Sequence, residues 1–456
     1  MPSFASLEAL GAAFSWKTKG DFPEPYLSWM IQYGGAVRYR NFFSPVVLLS
    51  DPKAIQHVLV TNAIQYPRDP MIEAYVHDHL FGVGLLNSHG VQHDHFRKLL
   101  NPLFSAAQVK GIVPMFDHLA RTYVKKIAAL ANDSDSPINI SHVFEKMTLE
   151  AIGMAAFGMN FADNPIAHDA YGAYKLNPKP WIIMGIVMVP GFLHWPLPEL
   201  RRRRATQAVL KQVIHDVVGH KLAKLAQRPK ANDLLDWILP HSTTAEAICH
   251  TMTFLFTGHE TSSSALGWVI ATLTKHPASV ARIRTEVAAV MASHGGLTSW
   301  DALNALKFTL AVIQETLRVH TAVFALLPKL LVGADDHGTH IEVHPAILHR
   351  NPKYWAHPTE FVPDRFLQGT PAWHADLALR DGKPHTFIYM PFSVGAKNCI
   401  GQRFAMAEMQ IIVALFTRHF DFALTPLVDL RPSYNGATIQ PSNLEVTVRT
   451  VDVPVA

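Results

Sequence analysis

The chain contains the segment FSVGAKNCIG, residues Phe392–Gly401, which runs directly into the helical pattern Gln402–Phe416. Cys399 therefore lies at a helix N-terminus, where the helix dipole and unbonded backbone N–H groups stabilise a thiolate. Gly395 permits a tight turn beneath the sulfur, and Gly401 lets a large flat ligand approach the helix backbone because no Cβ intervenes. The segment predicts a site built around one sulfur atom.

The number of cysteines limits what this sulfur binds. The chain has two cysteines, Cys249 and Cys399. A single cysteine cannot hold zinc or an iron–sulfur cluster without further ligands, whereas a haem iron needs only one axial ligand from the protein. Phe392 would shield such a sulfur from water. The alternative is a structural cysteine, because unpaired cysteines often pack as small apolar side chains.

The composition is that of a large globular protein. Of 456 residues (50.7 kDa), 49% are hydrophobic and 17% are charged, which allows a large core and excludes general disorder. Lys and Arg number 40 against 36 Asp and Glu, so the net charge is +4. Without a long cationic tail, this charge excludes nucleic acid as the principal partner. Two cysteines are too few for a secreted disulfide scaffold and favour a reducing compartment.

Apolar side chains recur at three and four residues over most of the chain, which predicts helices. The longest such pattern runs from an N-cap at Ser242 or Thr243 to Lys275, before Pro277 ends it. About 32 residues at about 1.5 Å each reach roughly 48 Å, the width of a domain this size. We therefore expect a central helix.

Strand-like alternation is confined to a few short segments. These segments are Ala36–Arg40, Val46–Leu49, Thr339–Val343 and Leu444–Val448. The rest of the chain has a helical pattern, so we expect small sheets beside many helices.

The expected central helix contains a polar interruption, TGHETS (Thr257–Ser262), among side chains that are apolar on nearly every face. Glycine inside a helix costs about 1 kcal/mol relative to alanine, and a buried glutamate costs more unless it is paired. Such a violation in a core indicates function. The alternative is a packing glycine beside a polar patch that faces a neighbouring helix.

The spacing Phe-x-x-Gly-x-x-x-Cys-x-Gly at residues 392–401 resembles the haem-ligand loop of the cytochrome P450 family, in which a cysteine thiolate holds the iron. The polar interruption resembles the family's oxygen-activation motif, with Thr257 where alanine is usual. Glu315 and Arg318 resemble its Glu-x-x-Arg pair, and Arg365 resembles the arginine that completes a buried charge network beneath the cysteine loop. Weaker matches cover nearly the whole chain in family order.

The resemblance implies a mainly α-helical fold with small β-sheets, in which a triangular helical domain carries a small β domain on its N-terminal side. Residues 1–456 would form one such domain without a transmembrane anchor. The N-terminal sequence MPSFASLEALGAAF predicts neither a secretory signal nor a membrane span, and the longest apolar stretch, Trp181–Val189, is too short to cross a bilayer.

The resemblance also implies how haem b would be held. Cys399 would be the iron ligand. The other residues around the group would be Phe392, Gly395, Gly401, His93, Arg97 and Lys397. His93 and Arg97 share a helix face and would donate to the haem propionates. Lys397 stands where the family usually has Arg, which weakens the expected contact because lysine lacks the guanidinium fork.

By resemblance, the chain would be a monooxygenase that activates O2 with two electrons and hydroxylates or epoxidises a lipophilic small molecule. Terpenoids, sterols, fatty acids and aromatic metabolites all remain open as substrates. Glu260 and Thr261 would be the catalytic residues that deliver protons. The alternatives are a peroxygenase or an isomerase or dehydratase of the same fold, and a non-catalytic haem or apolar-ligand binding protein. A zinc site at His89, His93 and His95 is a further alternative.

Electrons would come from a separate protein, because the chain has no dinucleotide-binding fingerprint. The resemblance implies NADPH–cytochrome P450 reductase, docking near Lys98, Lys397 and Arg403. The apolar segment Trp181–Trp195 and the four arginines 201–204 predict a peripheral membrane contact, or else a buried connector with solvated arginines. We expect the cytosolic face of the endoplasmic reticulum if an anchor precedes this chain, and otherwise the cytoplasm.

Overall fold

A computed structural model describes most of the chain. The described residues are 12, 15–41, 44–133, 137–160, 165, 169, 171–172, 182, 185, 189, 191–225, 233–331, 338–434 and 438–451. The apolar segment Trp181–Val189 lies largely outside these residues.

Helices dominate the described residues, as the sequence predicts. The α-helices are α1 Tyr26–Tyr33, α2 Pro52–Gln56, α3 Pro70–Leu80, α4 Gly90–Leu100, α5 Ala106–Asp133, α6 Ile140–Phe157, α7 Pro198–Leu225, α8 Leu234–Ile238, α9 Thr244–Leu273, α10 Pro277–His294, α11 Trp300–Ala305, α12 Lys307–Val319, α13 Pro345–Leu348, α14 Pro371–Leu379 and α15 Gln402–His419. A π-helical turn, His57–Thr61, continues from α2, and 3-10 turns include Leu85–Asn87, Phe192–His194 and Pro363–Phe366.

The strands form small sheets. They are β1 Ala36–Asn41, β2 Ser44–Leu49, β3 Ile138–Asn139, β4 Lys329–Leu330, β5 His340–Val343, β6 Phe420–Leu424, β7 Asp429–Tyr434, β8 Ile439–Asn443 and β9 Glu445–Thr450. One sheet has the order β1-β2-β5-β4, with β2 and β5 parallel and the other pairs antiparallel. The orders β3-β9-β6 and β7-β8 define two antiparallel sheets.

The chain divides into two compact units. Unit 1 comprises residues 1–68, 109–144 and 261–456, and unit 2 comprises residues 69–108 and 145–260. The strands of the described residues all belong to unit 1, whose core is lined by the buried face of α15 and by α10 and α12 packed against it. Unit 2 contains α3, α4, α7, α8, most of α6 and the first part of α9.

Helix α9 confirms the predicted long helix. Its N-terminus is closed by a capping box, because the backbone N–H of Glu246 donates to Thr243 Oγ1 (3.2 Å) and the backbone N–H of Thr243 donates to Glu246 Oε2 (2.8 Å). The helix ends at Leu273, just before Pro277 begins α10. Most of its side chains are buried, as its apolar composition requires.

The prediction that strands are confined to four short segments was wrong near the C-terminus. Strands β6, β7 and β8 follow α15 without a helix between them. Two features hide them in the sequence: β6 continues directly from a helix, and β7 contains Pro432, which pairs opposite Pro441 of β8. A proline normally indicates that a segment is not a strand, but a two-stranded edge tolerates it.

Candidate active site

The cysteine loop of unit 1 folds as a tight turn just before α15. The backbone N–H of Cys399 donates to the carbonyl of Phe392 (2.8 Å), and that of Asn398 donates to the carbonyl of Gly395 (3.2 Å). Ser393 and Gly395 have positive φ angles of 59° and 80°. These bonds hold the Cys399 backbone rigidly at the start of the helix.

Gly395 is required at its position for two reasons. Its φ lies in the left-handed region, which side chains with a Cβ rarely adopt. A Cβ on this residue would also lie 2.3 Å from the carbonyl oxygen of Leu59, in the π-helical turn. The loop therefore packs against the backbone of the π-helical turn, and this backbone cannot move aside as a flexible side chain would.

The surroundings of the sulfur fit a flat group bound through Cys399. Cys399 is exposed at the end of the loop. A Cβ at Gly401 would meet the Cys399 sulfur at 3.9 Å and, within the described residues, no other heavy atom within 4 Å. Side-chain-free backbone beside an exposed sulfur is what a planar macrocycle needs in order to approach a thiolate.

The second cysteine has a different environment. Cys249 lies in α9 within unit 2 and is 1% exposed. Burial raises the pKa of its thiol to about 12, and Gly84 lies so close that a Cβ there would approach the sulfur to 2.8 Å. Cys249 is thus a packed, uncharged thiol, and only Cys399 of the two is placed to act as a ligand.

A buried ion network in unit 1 joins the three charged residues identified by motif. Arg318 forms a two-pronged pair with Glu315 (2.8 Å to each oxygen), and Arg365 Nε donates to the same carboxylate at 3.0 Å. Arg365 Nη1 also donates to Asp376 Oδ2 at 2.7 Å. All four side chains are at most 2% exposed, so the charges compensate one another inside the core.

His349 connects this network to the cysteine loop. Its carbonyl accepts from Arg318 Nη1 (2.7 Å), and its Nε2 accepts from the backbone N–H of Met390, just before the loop (3.0 Å). Burial and the nearby Arg318 lower the pKa of His349 to about 3, so the ring is neutral and its Nε2 is an acceptor. Sequence reasoning identified neither Asp376 nor His349 as part of this network.

The polar interruption of α9 spans the boundary between the units. In unit 2, a Cβ at Gly258 would approach Ile152 to 3.0 Å, so this glycine does serve packing, as the alternative interpretation expected. Thr257 donates to the Thr253 carbonyl within the same helix (2.7 Å), and Thr148 donates to the carbonyl of His259 (3.1 Å). The first bond satisfies the Thr257 hydroxyl within its own helix, and the second joins α6 to the backbone of α9.

The two expected proton-delivering residues are consecutive in α9. Glu260 belongs to unit 2 and is 9% exposed, and Thr261 begins the unit 1 part of the helix, where it is half-buried. A buried carboxylate and a hydroxyl on one helical turn can donate and accept protons in sequence.

The residues expected at the haem propionates lie in both units. His93 and Arg97 are one turn apart on α4 in unit 2, where His93 is 4% exposed and its Nδ1 lies 3.3 Å from Asp94. Lys397 is half-buried on the cysteine loop of unit 1. His89 bonds Glu73, and within the described residues no three His, Cys, Asp or Glu side chains are grouped as a metal site would require.

A mainly helical chain with an exposed cysteine at a helix N-terminus and a glycine beside its sulfur has the features that haem-thiolate proteins require. The chain belongs to the cytochrome P450 family, whose family model matches residues 1–448. Family membership implies a haem cofactor, a lipophilic substrate and a redox partner, and the expected monooxygenase activity and mainly helical fold are confirmed.

Curated relatives and a solved structure agree with this assignment. The chain is 25% identical to 11-oxo-beta-amyrin 30-oxidase of Glycyrrhiza uralensis, with 88% of this chain and 77% of that protein covered. It is 26% identical to the chloroplastic carotene epsilon-monooxygenase of Arabidopsis thaliana, with 92% and 80% covered. The fold matches retinoic acid bound cyanobacterial CYP120A1 with a TM-score of 0.77, 21% identity and 96% of each chain covered.

Proposed function

We propose that this chain hydroxylates or epoxidises a terpenoid, sterol, fatty acid or aromatic metabolite, with electrons that a separate reductase takes from NADPH. The exposed Cys399 at the N-terminus of α15 is the observation that carries this proposal. The test is the spectrum of the reduced, carbonyl-bound protein, in which a thiolate ligand shifts the main absorption band to the red. A colourless protein, or one without that band, would end the proposal.

The residues that would hold haem b are those around Cys399. Cys399 would be the iron ligand, and Phe392, whose carbonyl fixes the Cys399 N–H, would cover the sulfur. The remaining contacts would be made by Gly395, Gly401, Lys397, His93 and Arg97. When bound, the group supplies the activation of dioxygen that amino-acid side chains cannot perform.

Within this chain, Glu260 and Thr261 would move the protons that the reaction consumes. The Thr261 hydroxyl would donate a proton into the site and take another from Glu260 through ordered water. Replacing Thr261 by Ala should leave haem binding intact while more of the consumed NADPH yields hydrogen peroxide instead of product.

An electron donor with an acidic face would dock near Lys397 and Arg403 of unit 1 and Lys98 of unit 2. Arg403 and Lys98 are exposed, which suits an electrostatic encounter. We propose NADPH–cytochrome P450 reductase as that donor. Reversing the charge of Arg403 should lower turnover without lowering haem content, and unchanged turnover would exclude this patch.

A peripheral membrane contact would use the segment around Trp195. Trp195 is 46% exposed, whereas Arg204 donates to the carbonyls of Leu193 (2.6 Å) and Trp195 (3.1 Å) and so fixes this loop. Arg203 is buried against Asp78, which leaves Arg201 and Arg202 for a lipid surface. None of the described helices combines the length and apolarity that a membrane crossing requires.

We propose the cytosolic face of the endoplasmic reticulum as the place of such a contact. Flotation with anionic vesicles tests the contact: Trp195→Ala should reduce binding, and equal binding would favour the connector interpretation.

The two alternatives of the same fold differ from the proposal in their need for electrons. A peroxygenase would form product from hydrogen peroxide alone, and an isomerase would need neither oxidant nor reductase. Parallel assays with NADPH plus reductase and with peroxide alone separate these activities. A non-catalytic haem or apolar-ligand binder would give no product in either assay.

A further inference from the structure

Helix α14 is followed by a buried arginine in unit 1 that the proposed reaction does not use. Arg380 is 7% exposed, and its Nε and Nη1 are buried without a hydrogen-bond partner within the described residues. Its Cζ lies 5.3 Å from the ring centroid of Trp355, which is 1% exposed. Buried charged groups normally have a counter-charge, and buried donors normally have an acceptor. Two donors of this guanidinium are therefore available to a further ligand.

The charged side chains around Trp355 are unequal in number. Three guanidinium carbons lie over its ring, and they belong to Arg318 (5.4 Å from the centroid), Arg365 (5.8 Å) and Arg380 (5.3 Å). The carboxylates of Glu315 and Asp376 compensate the first two arginines through direct hydrogen bonds. Three cations against two anions leave these five side chains with a net charge of +1, and Arg380 carries it.

Asp376 does not neutralise Arg380. Its Oδ1 accepts from the backbone N–H of Ala356 (2.8 Å) and from Arg365 Nη1 (2.9 Å), and its Oδ2 accepts from the same Nη1 (2.7 Å). Burial lowers the pKa of Arg380, the nearby Asp376 charge offsets this effect only in part, and Arg365 lowers the pKa further. Arg380 nevertheless stays charged, because a guanidinium does not lose its proton in a protein.

His385 supplies a second donor group beside the same tryptophan. Its Nδ1 is buried and has no hydrogen-bond partner in the part of the chain that the structure describes, and its ring centroid is 6.4 Å from that of Trp355. Burial lowers the pKa of His385, and the charge of Arg380 lowers it further, so the two side chains are within electrostatic reach of each other. A neutral imidazole can carry its proton on Nδ1 and donate it to an acceptor.

The turn that joins these two residues, 381–384, is exposed throughout. Asp381 and Gly382 have left-handed φ angles of 52° and 72°. The Asp381 side chain is 86% exposed and lies 3.9 Å from Lys383, so its carboxylate is directed to solvent. Arg380 and His385 thus lie immediately beneath the surface, where the positive charge of Arg380 and Lys383 attracts anions.

We propose that Arg380 and His385 bind a small oxyanion of the phosphate or carboxylate class from solution. Its oxygens would accept from the Arg380 guanidinium and from His385 Nδ1, and its charge would compensate the excess cation beside Trp355. An oxyanion is expected rather than a halide, because separate oxygens can accept from both groups at once. The site goes beyond the proposed function, since no electron, proton or substrate of that reaction passes through it.

Titration calorimetry of the haem-loaded protein with inorganic phosphate tests the binding. At constant ionic strength, in a buffer without oxyanions, phosphate should saturate one site per chain, and a parallel titration with acetate shows whether a carboxylate suffices. Arg380→Met should bind phosphate at least about tenfold more weakly, because a hydrogen bond to a charged group is lost. Absence of saturable binding of both anions, or equal binding of chloride, would overturn the proposal.

The matched control is Arg282→Met. Arg282 also lies over an aromatic ring, with its Cζ 3.8 Å from the Phe308 centroid, but it is paired with Asp364 at 2.8 Å and its side chain is 48% exposed. This variant should bind phosphate as the parent does. A loss of binding as large as that of Arg380→Met would mean that phosphate responds only to the total charge of the protein, which would also overturn the proposal.

Urea denaturation distinguishes an anion site from a structural arginine. Without phosphate, Arg380→Met should be at least as stable as the parent, because it removes a buried charge that has no counter-charge. In saturating phosphate the parent should become the more stable protein, because the anion binds only its folded state. Arg380→Lys keeps the charge and serves if the Met variant does not fold; it should retain part of the phosphate response. A Met variant that is less stable by the same amount with and without phosphate would overturn the proposal.

Haem content separates this site from the proposed function. Arg380→Met should keep its haem and the red-shifted band of the carbonyl adduct. Loss of haem from this variant at every phosphate concentration would assign Arg380 to the haem and overturn the inference. Absence of that band in the parent protein would instead remove the proposed function, whatever the phosphate titration shows.

Discussion

At the scale of single residues, the cysteine loop depends on one glycine that meets backbone rather than side chain. A Cβ at Gly395 would lie 2.3 Å from the Leu59 carbonyl oxygen, at a φ of 80°. The loop can yield only by moving away from the π-helical turn. That movement would displace Cys399, because the same hydrogen-bonded turn contains both residues.

We therefore expect Gly395→Ala to lose most of its haem. Gly369→Ala is the matched control, because Gly369 has a similar φ of 86° but nothing within 4 Å of the added Cβ. The control variant carries only the strain of a side chain at a left-handed φ, about 1–2 kcal/mol, and should bind haem normally. Haem content by absorbance, with urea unfolding of both variants, checks this. Equal haem content in the two variants would contradict the role of the Leu59 contact.

A second residue-scale feature is that Asp376 completes the buried ion network. Arg365 loses both bonds from its Nη1 if this carboxylate is removed, and the guanidinium has little access to water. Asp376→Asn should lower the free energy of unfolding by about 3–5 kcal/mol, as removal of one partner of a buried pair does.

The control for this variant is Asp421→Asn. Asp421 pairs with Arg284 at 2.7 Å, but its side chain is 58% exposed, so its loss should cost less than about 1 kcal/mol. Urea denaturation followed by fluorescence measures both. Similar losses in the two variants would mean that burial does not determine the strength of these pairs.

At the scale of elements, α9 is fixed at its start by the reciprocal bonds of Thr243 and Glu246. Thr243→Ala removes the hydroxyl that accepts from the Glu246 N–H, so we expect a loss of about 1 kcal/mol in the free energy of unfolding. Thr243→Ser keeps the hydroxyl and should restore most of that loss. A Ser variant as unstable as the Ala variant would assign the loss to packing of the methyl group instead.

Elements that are stabilised by interactions within their own segment could be predicted from the sequence. Elements that depend on contacts with distant segments could not. The cysteine loop and α9 are specified by their own glycines, caps and apolar spacing, so the predictions for 392–401 and 244–273 agree with the structure. Strand β7 exists because it pairs with β8, and Asp376 matters because Arg365 reaches it from another element. Neither pairing leaves a pattern within its own segment.

At the scale of the whole molecule, the two units are connected through continuous helices, since α5, α6 and α9 each contribute residues to both. The family model also spans residues 1–448 without a break. We propose that the chain unfolds as one domain. A single calorimetric transition would support this, and two resolved transitions would contradict it.

Buried neutral histidines make the stability of both units depend on pH. Burial lowers the pKa of His349 in unit 1 to about 3 and that of His250 in unit 2 to about 4. The unfolded chain titrates near 6.5, so below that pH it binds more protons than the folded chain, and each histidine lowers the free energy of unfolding by about 1.4 kcal/mol per pH unit. This contribution to stability is fully present above pH 6.5 and is lost as the pH falls toward the folded pKa.

His250→Phe isolates one of these contributions. His250 is fully buried against Phe96, with ring centroids 4.8 Å apart, and neither ring nitrogen has a hydrogen-bond partner within the described residues, so an apolar ring fits the same place. Between pH 6 and pH 5 the free energy of unfolding should fall in both proteins. The fall should be smaller in the variant than in the parent, by about 1.4 kcal/mol per pH unit. His357→Gln, with a side chain 72% exposed, should keep the parental slope. Urea denaturation at half-unit pH steps measures the slopes, and equal slopes for the parent and the Phe variant would mean that His250 is protonated in the folded chain.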